Sequence, residues 1–126
     1  LRNDMACYKA RAEAVRHAEV YRGAFAISVC PSENVESPTI VGAQAANELL
    51  NIIGIKASFV LTEYNDKIYI SSRSIDEINV QLIMERLGGG GHLNVAGAQL
   101  PDCTIESAKR IIKDTLEEMV KEGEIG

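Results

Sequence analysis

The stretch Met84-Glu85-Arg86-Leu87-Gly88-Gly89-Gly90-Gly91-His92-Leu93-Asn94-Val95-Ala96-Gly97-Ala98-Gln99 changes character twice. Up to Leu87 it continues a helical pattern, in which Val80, Ile83, Met84 and Leu87 share an apolar face that Asn79 or Asp76 can cap. Four glycines and a histidine follow. From Asn94 to Leu100 the residues are small or apolar and read as a short strand, which Pro101 and Asp102 leave. A helix therefore enters the glycines and a strand leaves them. That order excludes the dinucleotide fingerprint, which needs the reverse. No Gly-Lys-Ser/Thr follows, which excludes a Walker loop. One glycine ends a helix, and each further one costs conformational entropy. The run therefore predicts unusual dihedrals or close approach of backbone to a ligand, with N–H groups converging on an anion. His92 adds a ring that can donate a hydrogen bond to phosphate. The competing reading is a surface loop with an incidental histidine.

Upstream, Ile55–Tyr64 and Lys67–Ser72 read as two strands joined by a turn at Asn65-Asp66, with Ile68 and Ile70 on one face. At the end of the second lies Ser71-Ser72-Arg73-Ser74, where Arg73 can clasp a phosphate with two parallel hydrogen bonds and Ser72 and Ser74 can add hydroxyl contacts. Taken singly, Arg73 is more simply an exposed arginine in a polar turn. A second phosphate-compatible element in the same small domain strengthens the functional reading. Earlier still, Ala24–Cys30 reads as a buried strand. Ser37 and Pro38 open a helix to about Ile53, with Val41, Ala45, Leu49 and Ile53 on its buried face and Gly54 as its stop. Asn3–Tyr21 has helix-forming composition with a narrow apolar stripe. Thr104 caps a last helix whose apolar face is Ala108, Ile111, Ile112, Leu116, Met119 and Val120. The order is helix, strand, helix, hairpin, helix, strand, helix, which predicts an α/β domain with a mixed sheet covered by helices.

The chain has 126 residues, enough for one core, and a net charge of −5. A protein that binds nucleic acid through backbone phosphates shows a basic footprint. Here only the first helix is basic, through Arg2, Lys9, Arg11, Arg16 and Arg22, and Asp114–Glu124 is acidic. Trp is absent and aromatics are 5% of residues, a poor supply for a stacking platform. No nucleic-acid partner is expected. A small nucleotide needs only a few well-placed groups. Cys7, Cys30 and Cys103 have no metal-ligand spacing and fit a reducing compartment. No His-Glu-x-x-His is present, so no metal is expected in this chain. The chain begins at Leu1 within a helical pattern and reads as part of a longer protein.

Ser-x-Arg-Ser after a strand, then a helix, then Gly-Gly-Gly-Gly-His with a small-residue strand behind it, resembles the DHHA1 domain, the C-terminal half of DHH/DHHA1 phosphoesterases. The run from Gly88 to Gln99 most resembles the GdpP type, membrane-anchored bacterial phosphodiesterases of cyclic di-AMP. The resemblance implies a DHHA1-like mixed β-sheet flanked by helices. It implies residues 1–22 as a connector helix from an upstream catalytic domain and 23–126 as the substrate-binding DHHA1 domain. In that division the upstream DHH domain holds two Mn2+ ions that activate water. This chain holds substrate: Arg73 and His92 on phosphate, Gly89, Gly90 and Gly91 for close approach, and Ser72, Ser74 and Asn94 as further contacts. The implied activity is hydrolysis of cyclic di-AMP to linear pApA by the parent, with this chain alone inactive. It would form a cytoplasmic domain of a protein anchored in the bacterial cell membrane, with a homodimer among the arrangements to be tested. The alternative is a nucleic-acid-binding module of a DHH-type exonuclease or oligoribonuclease. A third reading, a thiol enzyme pairing Cys103 with His92, rests on the position of Cys103 near a helix start.

Overall fold

The computed structural model describes residues 4–125. The elements in chain order are α1 (Met5–Arg16), β1 (Glu19–Tyr21), β2 (Phe25–Val29), α2 (Pro38–Leu49), β3 (Ala57–Tyr64), β4 (Lys67–Ser74), α3 (Val80–Glu85), β5 (Gly90–Gly91), β6 (Val95–Pro101) and α4 (Ile105–Lys121). The strands form one sheet in the order β1-β2-β3-β4-β6-β5. β2 and β3 run parallel, and the other neighbours are antiparallel. The predicted α/β fold with a mixed sheet between helices is therefore observed.

Strand alternation divides the core in two. Ala57, Phe59 and Leu61 of β3 join Ile68 and Ile70 of β4, Ala96 and Ala98 of β6, and the inner faces of α3 and α4. Val60, on the opposite side of β3, packs with Ala26, Val41, Ala45, Ala46 and Leu49 beneath α1 and α2. β3 is covered on both sides, so its buried residues run unbroken from Ala57 to Thr62. Ile112, Leu116 and Met119 of α4 are fully buried. Each contributes about 1.5–3 kcal/mol of transfer free energy.

Local chemistry sets several boundaries. Asn65 and Asp66 both have positive φ (51° and 61°), the conformation that matches the twist of a tight hairpin. Asn79 caps α3 by accepting from the Leu82 N–H at 3.2 Å. Thr104 caps α4 by accepting from Ser107 at 3.1 Å. The Ser37 side chain makes no cap hydrogen bond, and Pro38 alone marks the start of α2.

Three expectations are corrected. The predicted first helix, Asn3–Tyr21, ends at Arg16, and Glu19–Tyr21 instead form an edge strand beside β2. The helix composition there gives way to cross-strand pairing. Asn3 and Arg2 lie outside the described residues. The second helix stops at Leu49, leaving Ile53 fully exposed rather than on its buried face. In α4, Ile111 is 36% exposed while Ile112 takes the buried position, because 3.6-residue periodicity admits only one of two adjacent residues to the centre of the stripe.

Candidate functional site

β4 alternates cleanly. Ile68, Ile70, Ser72 and Ser74 are buried, and Tyr69, Ser71 and Arg73 are partly exposed on the opposite side. The ladder carries this alternation across to β6, where Tyr69 stands opposite Gln99, Ser71 opposite Gly97 and Arg73 opposite Val95. β5 adds Gly90 opposite Gly97, and the His92 N–H donates to the Val95 carbonyl at 2.7 Å. A Cβ built on Gly91 would lie 2.6 Å from Ala96 Cα, and one on Gly89 2.7 Å from Ala98 Cα. Those two positions therefore face the α3/α4 side, and alternation turns Gly90 and His92 to the other.

Three cross-strand rows result on the side that α2 leaves partly uncovered. Arg73, Val95 and His92 form the first. Ser71, Gly97 and Gly90 form a floor of small residues. Tyr69 and Gln99 form the third. A groove of ≈ 490 Å³ opens over the floor and the third row, walled by Thr39 near the start of α2 and by Gly88 and Gly89.

The glycines have distinct reasons. Gly88 ends α3 with φ 83°. Its N–H donates to Glu85 O at 3.1 Å and that of Gly89 to Met84 O at 2.9 Å, the paired bonds of a Schellman cap. Gly89 and Gly91 lie against the β6 backbone where no side chain fits. Gly91 also has φ 146°, and Gly97 lies so close to the Ile70 carbonyl that a Cβ would come within 2.8 Å. Nothing lies within 4 Å of a Cβ on Gly90. Gly90 is therefore the member of the run whose missing side chain the fold itself does not require.

Arg73 is half-buried, and burial pushes its guanidinium below the ordinary arginine range. It donates to the Ser72 carbonyl at 2.9 Å. Among the described residues no carboxylate pairs with it, whereas Arg11, Arg16, Arg22 and Arg86 all do. A desolvated cation without a counter-ion favours an anion from outside. His92 is exposed, and its backbone bond to Val95 puts it in the same row as Arg73 by register.

The other sequence-predicted contacts are bound up in the fold. Ser72 is fully buried on the far side of β4 and donates to the Ser58 carbonyl at 3.0 Å. Ser74 donates to the Ile78 carbonyl at 2.6 Å and accepts from Asn94 Nδ2 at 2.9 Å. Register sets Arg73 and His92 on either side of Val95 in one row and Gly90 in the next, while Ser72, Ser74 and Asn94 belong to the framework that supports them. Sequence reasoning missed Tyr69, Gln99 and Thr39. The alternation that put Ile68 and Ile70 on one face already put Tyr69 beside Arg73 on the other.

Cys103 does not meet His92. Its thiol lies within 3.4 Å of the Thr104 carbonyl and packs against the α3/α4 core. β6 separates it from the hairpin that carries His92, a span of roughly 20 Å. The thiol-enzyme reading is thereby removed. Cys30 is buried with its thiol 3.8 Å from the Ala10 carbonyl.

A model of the DHHA1 domain matches residues 24–122. The chain belongs to the DHHA1 family. This DHHA1 domain is 44% identical over 111 residues to the cyclic-di-AMP phosphodiesterase PdeA of Listeria monocytogenes, covering 87% of the chain and 17% of that protein. It is 38% identical over 124 residues to the cyclic-di-AMP phosphodiesterase GdpP of Geobacillus thermodenitrificans, covering 98% of the chain and 19% of that protein. The chain thus spans under a fifth of the length of either relative. A crystal structure of an exopolyphosphatase-related protein from Bacteroides fragilis superposes with a TM-score of 0.81 at 22% identity, over 94% of this chain and 36% of that one. That likeness speaks to the fold of the DHHA1 domain. Among the described residues no helix is long and apolar enough to cross a membrane.

Proposed function

We propose that this DHHA1 domain grips the phosphates of cyclic di-AMP for hydrolysis to pApA on a separate DHH domain of a membrane-anchored parent. The observation that carries the reading is Arg73: half-buried, without a carboxylate partner, and on one face with His92 and Gly90. A phosphodiester is a permanent anion with two non-bridging oxygens that share its charge. The guanidinium matches them with parallel donors, His92 adds a donor from the β5 side, and Gly90 leaves backbone accessible between them. The names of the two curated relatives supply the substrate.

Manganese belongs to the other half of this proposal. Among the described residues no three His, Cys, Asp or Glu side chains gather where they could hold a metal ion. The described residues therefore do not fit a metal pair. The role left to the chain is to bind and orient the substrate.

Steady-state hydrolysis of cyclic di-AMP by the full-length parent with Mn2+ tests the reading. Arg73→Ala and His92→Ala are expected to raise KM more than they lower kcat, the pattern of binding groups. Unchanged kinetics in both variants would overturn the assignment. Affinity for single-stranded nucleic acid exceeding that for the dinucleotide, and falling steeply with salt, would favour the nucleic-acid-binding alternative instead.

A further inference from the structure

We propose that the groove beside the phosphate row is a nucleobase subsite in which Gln99 reads the edge of an adenine lying against Tyr69. The inference rests on the phosphate reading of Arg73 and His92 and extends it to the base.

The geometry points there in three ways. Tyr69 and Arg73 lie on the same face of β4, four residues and about 14 Å apart. That separation is comparable to the reach of a nucleotide from its phosphate to the far edge of its base. The row between them consists of Ser71, Gly97 and Gly90, so nothing taller than a serine rises from the floor. A planar base and its sugar can therefore lie flat on the sheet. The groove, ≈ 490 Å³ in volume, is walled by Thr39 on one side and by the backbone of Gly88 and Gly89 on the other.

The chemistry of the third row is that of base recognition. The half-buried Tyr69 ring lies 6.1 Å from the ring of Tyr64, leaving an aromatic surface at the groove for stacking. Gln99 is exposed directly across the ladder from it. Its Oε1 accepts only a 3.4 Å contact from Lys67 Nζ, so its amide N–H groups and a second lone pair on Oε1 remain for a ligand. A carboxamide presents one donor and one acceptor side by side, which matches N7 and the N6 amino group of adenine. On guanine the same edge offers two acceptors, so the glutamine oxygen would face the guanine O6. The groove therefore prefers adenine by leaving a mismatched polar pair on guanine.

Titration of the chain with linear pApA and pGpG, by calorimetry and by amide-resolved NMR, tests the subsite. Wild-type protein is expected to bind pApA more tightly, with the amides of Tyr69, Gly97 and Gln99 shifting. Gln99→Ala is expected to weaken pApA about tenfold, as loss of one bidentate base contact would, and to abolish the preference over pGpG. Arg73→Ala is expected to weaken both dinucleotides alike. Gln99 is exposed, and an unchanged far-UV spectrum checks that its variant folds. If pApA binds through Arg73 but Gln99→Ala leaves the pApA-to-pGpG ratio intact, the base subsite is overturned and the phosphate reading stands. If neither dinucleotide binds, or Arg73→Ala changes nothing, the phosphate reading falls and takes the subsite with it.

Discussion

Asn94 donates through Nδ2 to the Ser74 hydroxyl at 2.9 Å, joining the turn between β5 and β6 to the end of β4. Ser74 passes the bond on to the Ile78 carbonyl at 2.6 Å, and the Ser74 N–H donates to the Asn94 carbonyl at 3.0 Å. The Val80 N–H, at the start of α3, donates to the Leu93 carbonyl at 2.9 Å. These bonds fix the hairpin that carries His92 against the strand that carries Arg73. Two side chains with phosphate-compatible chemistry thus set the spacing of the two that face solvent.

Ser74→Ala is accordingly expected to act on stability. It removes the donor to the Ile78 carbonyl and leaves Asn94 Nδ2 only a 3.4 Å contact with the Asp76 carbonyl, at a site where Ser74 is 5% exposed. The expected loss is about 1–3 kcal/mol, read from urea unfolding midpoints. Dinucleotide affinity, measured where the variant remains folded, should change less than in Arg73→Ala. A stability equal to wild type would show that the tie between the two strands is dispensable.

The glycine run separates into packing and access. In Gly89→Ala the new methyl meets the Gly97 carbonyl oxygen and lies 2.7 Å from Ala98 Cα, backbone atoms that cannot rotate away. A loss of about 1–3 kcal/mol or more is expected from overpacking. In Gly90→Ala the methyl enters open space, and stability should stay within about 0.5 kcal/mol of wild type. Its effect should appear in ligand affinity, because the methyl projects from the face shared by Arg73 and His92. Thermal melts paired with pApA titrations distinguish the two. Gly90→Ala with full affinity would mean that no ligand approaches that strand.

Much of this arrangement was legible in the sequence. The Gly54, Asn65-Asp66 and Gly88 punctuation, the caps at Asn79 and Thr104, and the apolar periodicities are local signals, and each marks a real turn or terminus. The edge strand Glu19–Tyr21 was not legible, because its three residues have no strand pattern of their own and gain their conformation from β2. Arg73 and His92 announced themselves by residue type beside turn signals. That they share a face depends on register between β4, β6 and β5, which exists only once the sheet forms. Ser72, Ser74 and Asn94 carried the same polar signal as Arg73, yet the parity of β4 and the hairpin's own hydrogen bonds turned them inward. Polar residue type shows that a group needs a partner, and packing decides whether that partner is backbone or ligand.

Cys30 gives the domain a titration in the alkaline range. Burial pushes its thiol up to about 11 from the ordinary 9.0. The folded protein therefore holds the proton more tightly than the unfolded chain. Its contribution to stability is complete below pH 9 and is lost as pH rises toward 11. Unfolding free energies measured from pH 8 to 11 should fall through that window, and Cys30→Ala should flatten this part of the slope. An unchanged slope in the variant would show that the thiol is not the group responsible.

Arg73 provides the test in which charge and geometry separate. Lysine keeps the positive charge but offers a single rotating ammonium instead of a planar fork. Arg73→Ala is expected to weaken pApA by about 1.5–3 kcal/mol, the worth of hydrogen bonds to a charged group, or roughly ten- to a hundredfold. Arg73→Lys should recover only part of that loss if the phosphate is held by two parallel bonds. Because Arg73 has no carboxylate partner among the described residues, neither variant strands a counter-charge inside the fold. Unfolding midpoints should therefore move far less than binding constants. Full rescue by lysine would mean that the site attracts phosphate as a point charge. A large loss of stability in Arg73→Ala would make its hydrogen bond to the Ser72 carbonyl, at 2.9 Å, the main reason for the residue.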